Sequence, residues 1–145
     1  MKYQTFILLP SFETNTYLLW DETSRDAMLI DPAAEGKEVL SYISEKGLNL
    51  VFIVNTHGHG DHIGGNRFFK EKYPQAKLAI HEYDSQMLRK SDLNLSLYYE
   101  KETISPDADF FLKDGASLKL GEHRVKIIHT PGHTRGGVSL LCENL

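Results

Sequence analysis

Between Thr56 and His62 the chain reads Thr-His-Gly-His-Gly-Asp-His, so three imidazoles and a carboxylate crowd into one short segment. Without a cation that crowding is unfavourable, because the imidazoles compete for protons and the carboxylate gains nothing. A divalent transition metal resolves the conflict, since neutral imidazole and ionised carboxylate are the forms it binds. His57 and His59 lie two apart and can aim at one point. Asp61 and His62 follow at once and can aim at a neighbouring point, which gives two adjacent half-sites. Gly58 and Gly60 leave the backbone free to bend tightly around them. A second segment, Val125 to Thr134, runs an apolar stretch into Thr130-Pro131-Gly132-His133. A catalytic zinc commonly takes three protein ligands and keeps one position open. His57, His59 and His133 would supply those three.

Other chemically capable residues carry weaker signals. His129 sits on the strand itself and reads as a packed or hydrogen-bonded histidine. His81 follows a strand end, where it could line the rim of the site but fits a surface or supporting place better. His123, between Glu122 and Arg124, reads as an exposed turn residue. Cys142, the only cysteine, could be a soft ligand but on a late apolar strand reads as core. Asp31 could orient a ligand histidine or cap the turn at Pro32. Phe68, Phe69 and Tyr73 suit a helix packing face. Tyr98 and Tyr99 could touch substrate or pin a loop.

The elements that must position these groups follow from patterning. Tyr3 to Leu9, Thr16 to Trp20 and Ala27 to Ile30 read as strands bounded by turn formers. Glu35 to Lys46 repeats its apolar residues at helical spacing, with Gly47 as C-cap. Leu50 to Val54 suits a buried strand directly before the histidine motif. Ile63 to Tyr73 is expected as a helix ended by Pro74, with Asp61 near its N-terminus. Lys77 to Ile80 reads as a strand and Glu82 to Arg89 as a short helix. Lys90 to Asp109 is polar and reads as a long surface loop of the kind that forms lids or substrate walls. Ser117 to Leu120, Val125 to Ile128 and Val138 to Leu141 close the chain as strands. The alternation predicts an α/β sandwich of mixed sheets.

Bulk properties narrow the partners. The 145 residues are 41% hydrophobic and 25% charged, enough for one core, and the formal net charge is -4. That balance, with no Lys/Arg stripe, argues against nucleic acid and anionic membrane as partners. The apolar run Phe6 to Leu9 is too short for a signal segment or a membrane span. With one cysteine no internal disulfide forms, and a cytoplasmic location is expected.

These motifs together resemble the metallo-β-lactamase fold superfamily, and within it the glyoxalase II-like hydrolases. The match is carried by Asn55 through Asn66 and by Thr130-Pro131-Gly132-His133-Thr134. It is supported by Asn15-Thr16-Tyr17-Leu18-Leu19, Leu29-Ile30-Asp31-Pro32, Asp114-Gly115 and Leu120-Gly121. The resemblance implies an αββα sandwich with its site at one edge of two packed sheets. It implies a first metal site of His57, His59 and His133 and a second begun by Asp61 and His62. It implies one or two zinc ions there, with iron or manganese as other occupants. It also implies a bridging Asp and a last His beyond Leu145. Residues 1–145 are therefore expected to form an incomplete domain, lacking part of the C-terminal half. Either a longer enzyme has lost its end or a partner chain completes it.

The implied reaction is attack of a metal-bound hydroxide on an ester-type carbonyl, with Asp61 as the catalytic carboxylate that orients the nucleophile. A thioester such as an acyl-glutathione is the implied small-molecule substrate. A mononuclear iron persulfide dioxygenase-like activity is the alternative, and for these residues alone an inactive, partly metal-binding remnant. The apolar edge Val138 to Leu141 is expected to drive self-association.

Overall fold

A computed structural model describes residues 1–99 and 101–142. Among the described residues nine strands and three α-helices follow one another as β1 (Lys2–Leu9), β2 (Thr14–Trp20), β3 (Asp26–Ile30), α1 (Lys37–Glu45), β4 (Asn49–Val54), α2 (Gly60–Ile63), α3 (Asn66–Lys72), β5 (Lys77–His81), β6 (Phe110–Leu112), β7 (Ser117–Leu120), β8 (His123–His129) and β9 (Val138–Cys142). The first sheet has the order β1-β2-β3-β4-β5-β6 and the second β7-β8-β9. β1, β2 and β3 pair antiparallel, and β3 to β6 pair parallel.

Burial explains the layering. β3 and β4 lie between two apolar layers, which is why Ala27 to Ile30 and Leu50 to Val54 are nearly continuous in apolar residues. One face carries Leu29, Leu50 and Ile53 against Val39 and Ile43 of α1 and Phe69 of α3. The opposite face carries Met28, Ile30 and Val54 against Leu120, Val125, Ile127 and Val138 of the second sheet. Helices, first sheet and second sheet thus form three stacked layers. Phe69 is fully buried, with Phe68 and Tyr73 packed on the same cluster, as the helix-face reading expects. Among the described residues no helix is long and apolar enough to cross a membrane.

Three local expectations need correction. The helix expected over Ile63 to Tyr73 is two pieces, broken at Gly64-Gly65. A Cβ on Gly64 would overlap the carbonyl oxygen of Ala33, and Gly65 N donates to Pro32 O at 2.7 Å. The break lets the turn after β3 press directly on the segment that follows the histidines. The helix expected at Glu82 to Arg89 is a 3₁₀ helix over Glu82–Leu88. In a 3₁₀ turn residues i and i+3 eclipse, and this aligns Asp84 with Met87 against Gly58. The expected surface loop Lys90 to Asp109 holds a short 3₁₀ turn, Ser96–Tyr98, and is pinned from within. Buried Asn94 donates from Nδ2 to the carbonyls of Met87 and Thr103, both at 2.9 Å. Its own carbonyl accepts from Gly60 N at 2.8 Å, which docks the loop on the histidine motif. β6, missed in the sequence, is too short to show alternation and is set by its parallel pairing with β5.

Candidate metal centre

β4 ends at Val54, and the motif hangs from Asn55, the residue that follows. Asn55 is fully buried. Its Nδ2 donates to His62 O at 3.1 Å and to Asn66 Oδ1 at 3.2 Å, while Asn66 Nδ2 returns a bond to Asn55 Oδ1 at 2.8 Å. The two amides fasten the start of the motif to its end. Buried polar groups of this kind must be paired, and these two pair chiefly with each other.

The loop brings the expected ligands together. The ring centroids of His57 and His59 are 4.9 Å apart, those of His57 and His133 4.9 Å, and those of His59 and His133 4.7 Å. Each of the three offers a nitrogen within 4.8 Å of the others. His57 Nε2 is buried and has no hydrogen-bond partner. Its protonation follows from its neighbours. Thr56 Oγ1 donates its single proton to Asp31 Oδ2 at 2.6 Å. His57 Nδ1, 3.1 Å from that hydroxyl, must therefore be the donor to it. Nε2 is left as a bare lone pair facing His59 and His133, a group that a divalent cation satisfies.

The second half-site shows the same logic. His62 Nδ1 lies 3.0 Å from Asp31 Oδ2, and His62 Nε2 lies 3.4 Å from Asp61 Oδ2. If Nδ1 donates to Asp31, the neutral ring turns a lone pair toward the Asp61 carboxylate. Two acceptors that close need a proton or a metal between them. Asp61 Oδ2 is itself held by the Thr14 hydroxyl, which donates at 2.8 Å. Asp31 is also within ligating reach of His57 and His62. Its carboxylate, however, already accepts from Thr56 N at 2.7 Å, from the Thr56 hydroxyl and from His62. It is therefore an orienting group, and the turn-capping alternative gives way.

Electrostatics keeps the first cluster ready for a cation. Burial, and then the charge of His62, pushes His57 down to about 4. Burial and then His133 push His59 down as well. Burial opposes charge on His62 too, but the Asp31 hydrogen bond and the Asp31 and Asp61 carboxylates outweigh it and raise that ring. The donor set thus fits a divalent metal: neutral imidazoles at one point, and an imidazole with an ionisable carboxylate beside it.

The remaining candidates fall outside the clusters. His129 is packed and bonded, as expected: its ring stacks on His81 at 4.3 Å with a 5° interplanar angle, and Nε2 lies 3.0 Å from Arg135 O. His81 is buried by that stack, so the surface reading fails for it. His123 is half-buried, with Nε2 3.5 Å from Asp21 Oδ2 and 3.2 Å from the Met1 amine, so it is no free turn residue. Cys142 is half-buried on β9, where burial pushes its thiol up.

Two cavities flank the cluster. One of about 640 Å³ has His59, His133, Tyr83, Met87 and Arg135 on its walls. The other, of about 910 Å³, has Asp61, Phe12, Phe68, Tyr98 and Tyr99. Tyr99 packs on Phe12 at 4.7 Å and lines that cavity at once.

Residues the sequence reading passed over include Thr14, Thr56 and Asp84. Thr56 stood beside the motif and could have been found as a polar residue at a buried strand end. Asp84 carries no spacing relation to the motif at all.

A three-layer fold with a histidine cluster at the strand ends defines a class of metal-site sandwich proteins. The family model of the metallo-beta-lactamase superfamily matches residues 10–145, and the chain belongs to that family. It is 35% identical over 134 residues to a hydroxyacylglutathione hydrolase of Synechocystis sp., covering 90% of this chain and 44% of that protein. The chain thus spans less than half the length of that curated relative. In structure it is similar to the BLEG-1 B3 metallo-beta-lactamase, with a TM-score of 0.88 and 26% identity over 98% of this chain and 68% of that one. It is also similar to TTHA1623 in a di-iron-bound form, with a TM-score of 0.77 and 28% identity over 95% of this chain and 66% of that one.

Proposed function

We propose that this chain carries the metal-holding part of a hydrolase that cleaves thioesters of the acyl-glutathione class. The observation that carries this reading is the bare Nε2 of His57, buried and facing His59 and His133. His57, His59 and His133 would hold one zinc ion, and Asp61 with His62 would contribute to a second. A divalent cation bound there supplies Lewis acidity, which lowers the pKa of water and polarises a carbonyl.

The chain's own residues do the rest. Asp31 fixes His62 and, through Thr56, fixes His57. Thr14 holds Asp61 Oδ2, and that carboxylate would orient the attacking water and take its proton. The water oxygen bonds to the carbonyl carbon, the carbon–sulfur bond breaks, and the proton passes to the departing thiolate. Thiolates leave readily, so little acid assistance is needed. The named activity of the Synechocystis relative supports the thioester choice. Thioesters of glutathione form where the reduced thiol is kept, which favours a cytoplasmic site of action.

The test is hydrolysis of lactoyl-glutathione by the protein expressed to its gene's stop codon. Turnover that disappears in His57→Ala supports the reading. Failure on every thioester removes the substrate class. Iron in place of zinc, with oxygen uptake on a persulfide, would move the protein to a redox class instead.

A further inference from the structure

The two loops that carry His57, His59 and His133 are joined by a residue outside both. Asp84 is 1% exposed. Its Oδ2 accepts from Gly58 N at 3.1 Å, and Gly58 stands between His57 and His59. Its Oδ1 accepts from Gly136 N at 2.7 Å, three residues past His133. One carboxylate thus takes one amide from each ligand-bearing loop. Both amides belong to glycines. A Cβ on Gly58 would stand 2.6 Å from Met87 Cβ, and a Cβ on Gly136 would stand 2.8 Å from Asp84 itself. The approach is so close that only glycine admits it.

We propose that Asp84 is a positioning residue that sets the distance between His133 and the His57–His59 pair, and hence the affinity and geometry of the first cation site. The proposal rests on the metal-site reading above. A buried carboxylate needs compensating donors, and backbone amides are donors that cannot rotate away. The tie therefore transmits position rather than merely filling space. It is not the sole link between the loops, because Val138 N also donates to Thr56 O at 2.9 Å. That bond joins the strand ends and lets the fold survive loss of the carboxylate. Asp84 shares a cavity wall with His59 and His133.

Asp84→Asn isolates the effect. An asparagine keeps the shape but has a single acceptor oxygen. Its amide nitrogen would face one of the two backbone N–H groups, so one tether must be lost. The experiment is titration of the purified chain with cobalt(II), read by its visible absorption, alongside thermal unfolding. The expected result is a folded variant that binds cobalt about tenfold or more weakly, with shifted bands from a distorted ligand set. Gly136→Ala keeps the charge but pushes its loop off Asp84, and it should shift the same bands. That variant decides the matter if Asp84→Asn does not fold.

A folded variant with native cobalt affinity and spectrum overturns the proposal. So does a lowered unfolding temperature with an unchanged spectrum, which would mark the residue as a structural tie only. If the unaltered chain binds no cobalt, the metal-site reading falls and this inference with it. If it binds and the variants match it, this inference alone falls.

Discussion

Nδ1 of His62 lies 3.0 Å from Oδ2 of Asp31, across the gap between the end of β3 and the start of α2. The same Oδ2 accepts the Thr56 hydroxyl, whose oxygen in turn takes the His57 proton. One carboxylate therefore fixes the tautomers of two rings that belong to different half-sites. Asp31 holds this place with φ at 49°, a left-handed conformation that Asp and Asn tolerate better than most residues.

Asp31→Asn is therefore the informative substitution, because it keeps the backbone and removes the charge. We expect metal affinity to fall about 10- to 100-fold at the half-site containing His62. The site of His57, His59 and His133 should lose less. Calorimetric titration with zinc, resolved into two equivalents, checks both. Affinities unchanged from the unaltered chain in both equivalents would remove Asp31 from its orienting role.

The shifted histidines give a pH prediction for the metal-free protein. His57 is held near 4 in the folded state, below its ordinary value, chiefly by burial. Its neutral form is favoured by folding, so its presence lowers stability as pH falls from about 6.5 toward about 4. His62 is raised and acts in the opposite sense. Its charged form adds stability below about 6.5 that disappears as pH rises through its folded value. Comparing wild type with His57→Asn separates the two. Moving from pH 7.5 to pH 5 should shift the difference by about 1–2 kcal/mol in favour of the variant, allowing for solvent screening. Urea unfolding at both pH values reads it directly.

The parts of the site that were legible carry a local sequence signal. His57, His59, Asp61 and His62 sit in one short run, and His133 follows a turn signal, so residue type and spacing were enough. The supporting groups are scattered. Thr14 reaches Asp61 from the start of β2, and Asp84 reaches Gly58 and Gly136 from a 3₁₀ turn. Only the folded chain brings them near. Strands β1, β2, β3, β4, β5, β7, β8 and β9 announced themselves through apolar or alternating stretches bounded by turn formers. β6 did not, because its conformation comes from its neighbour. The helix break at Gly64-Gly65 was hidden because glycines inside a helix-forming run weaken a helix without forbidding it. Its cause is a carbonyl from another loop.

That carbonyl makes Gly64→Ala a test of packing against the site. The added methyl would overlap Ala33 O, so the turn after Asp31 must move. We expect a loss of about 1–3 kcal/mol, the range for overpacking. A fall in zinc affinity should accompany it, because Asp31 rides on the same turn. Unfolding by urea and metal titration on one preparation measure both. A stability loss with unaltered metal binding would show that the turn and the site move independently.

The second sheet offers the last prediction. Among the described residues β9 pairs only with β8, so its other side is an open edge. Leu141 on that strand is 46% exposed, and Ile128 on β8 is 36% exposed. An edge strand with apolar neighbours and free backbone groups is a template for pairing with a second copy. We expect these residues, expressed as a chain of 145, to self-associate as concentration rises. Leu141→Lys should reduce the association, since a charged side chain at an edge opposes strand pairing. Sedimentation equilibrium over a hundredfold concentration range reads it. A single monomeric species throughout would show that the edge is protected, and the substitution would then change nothing.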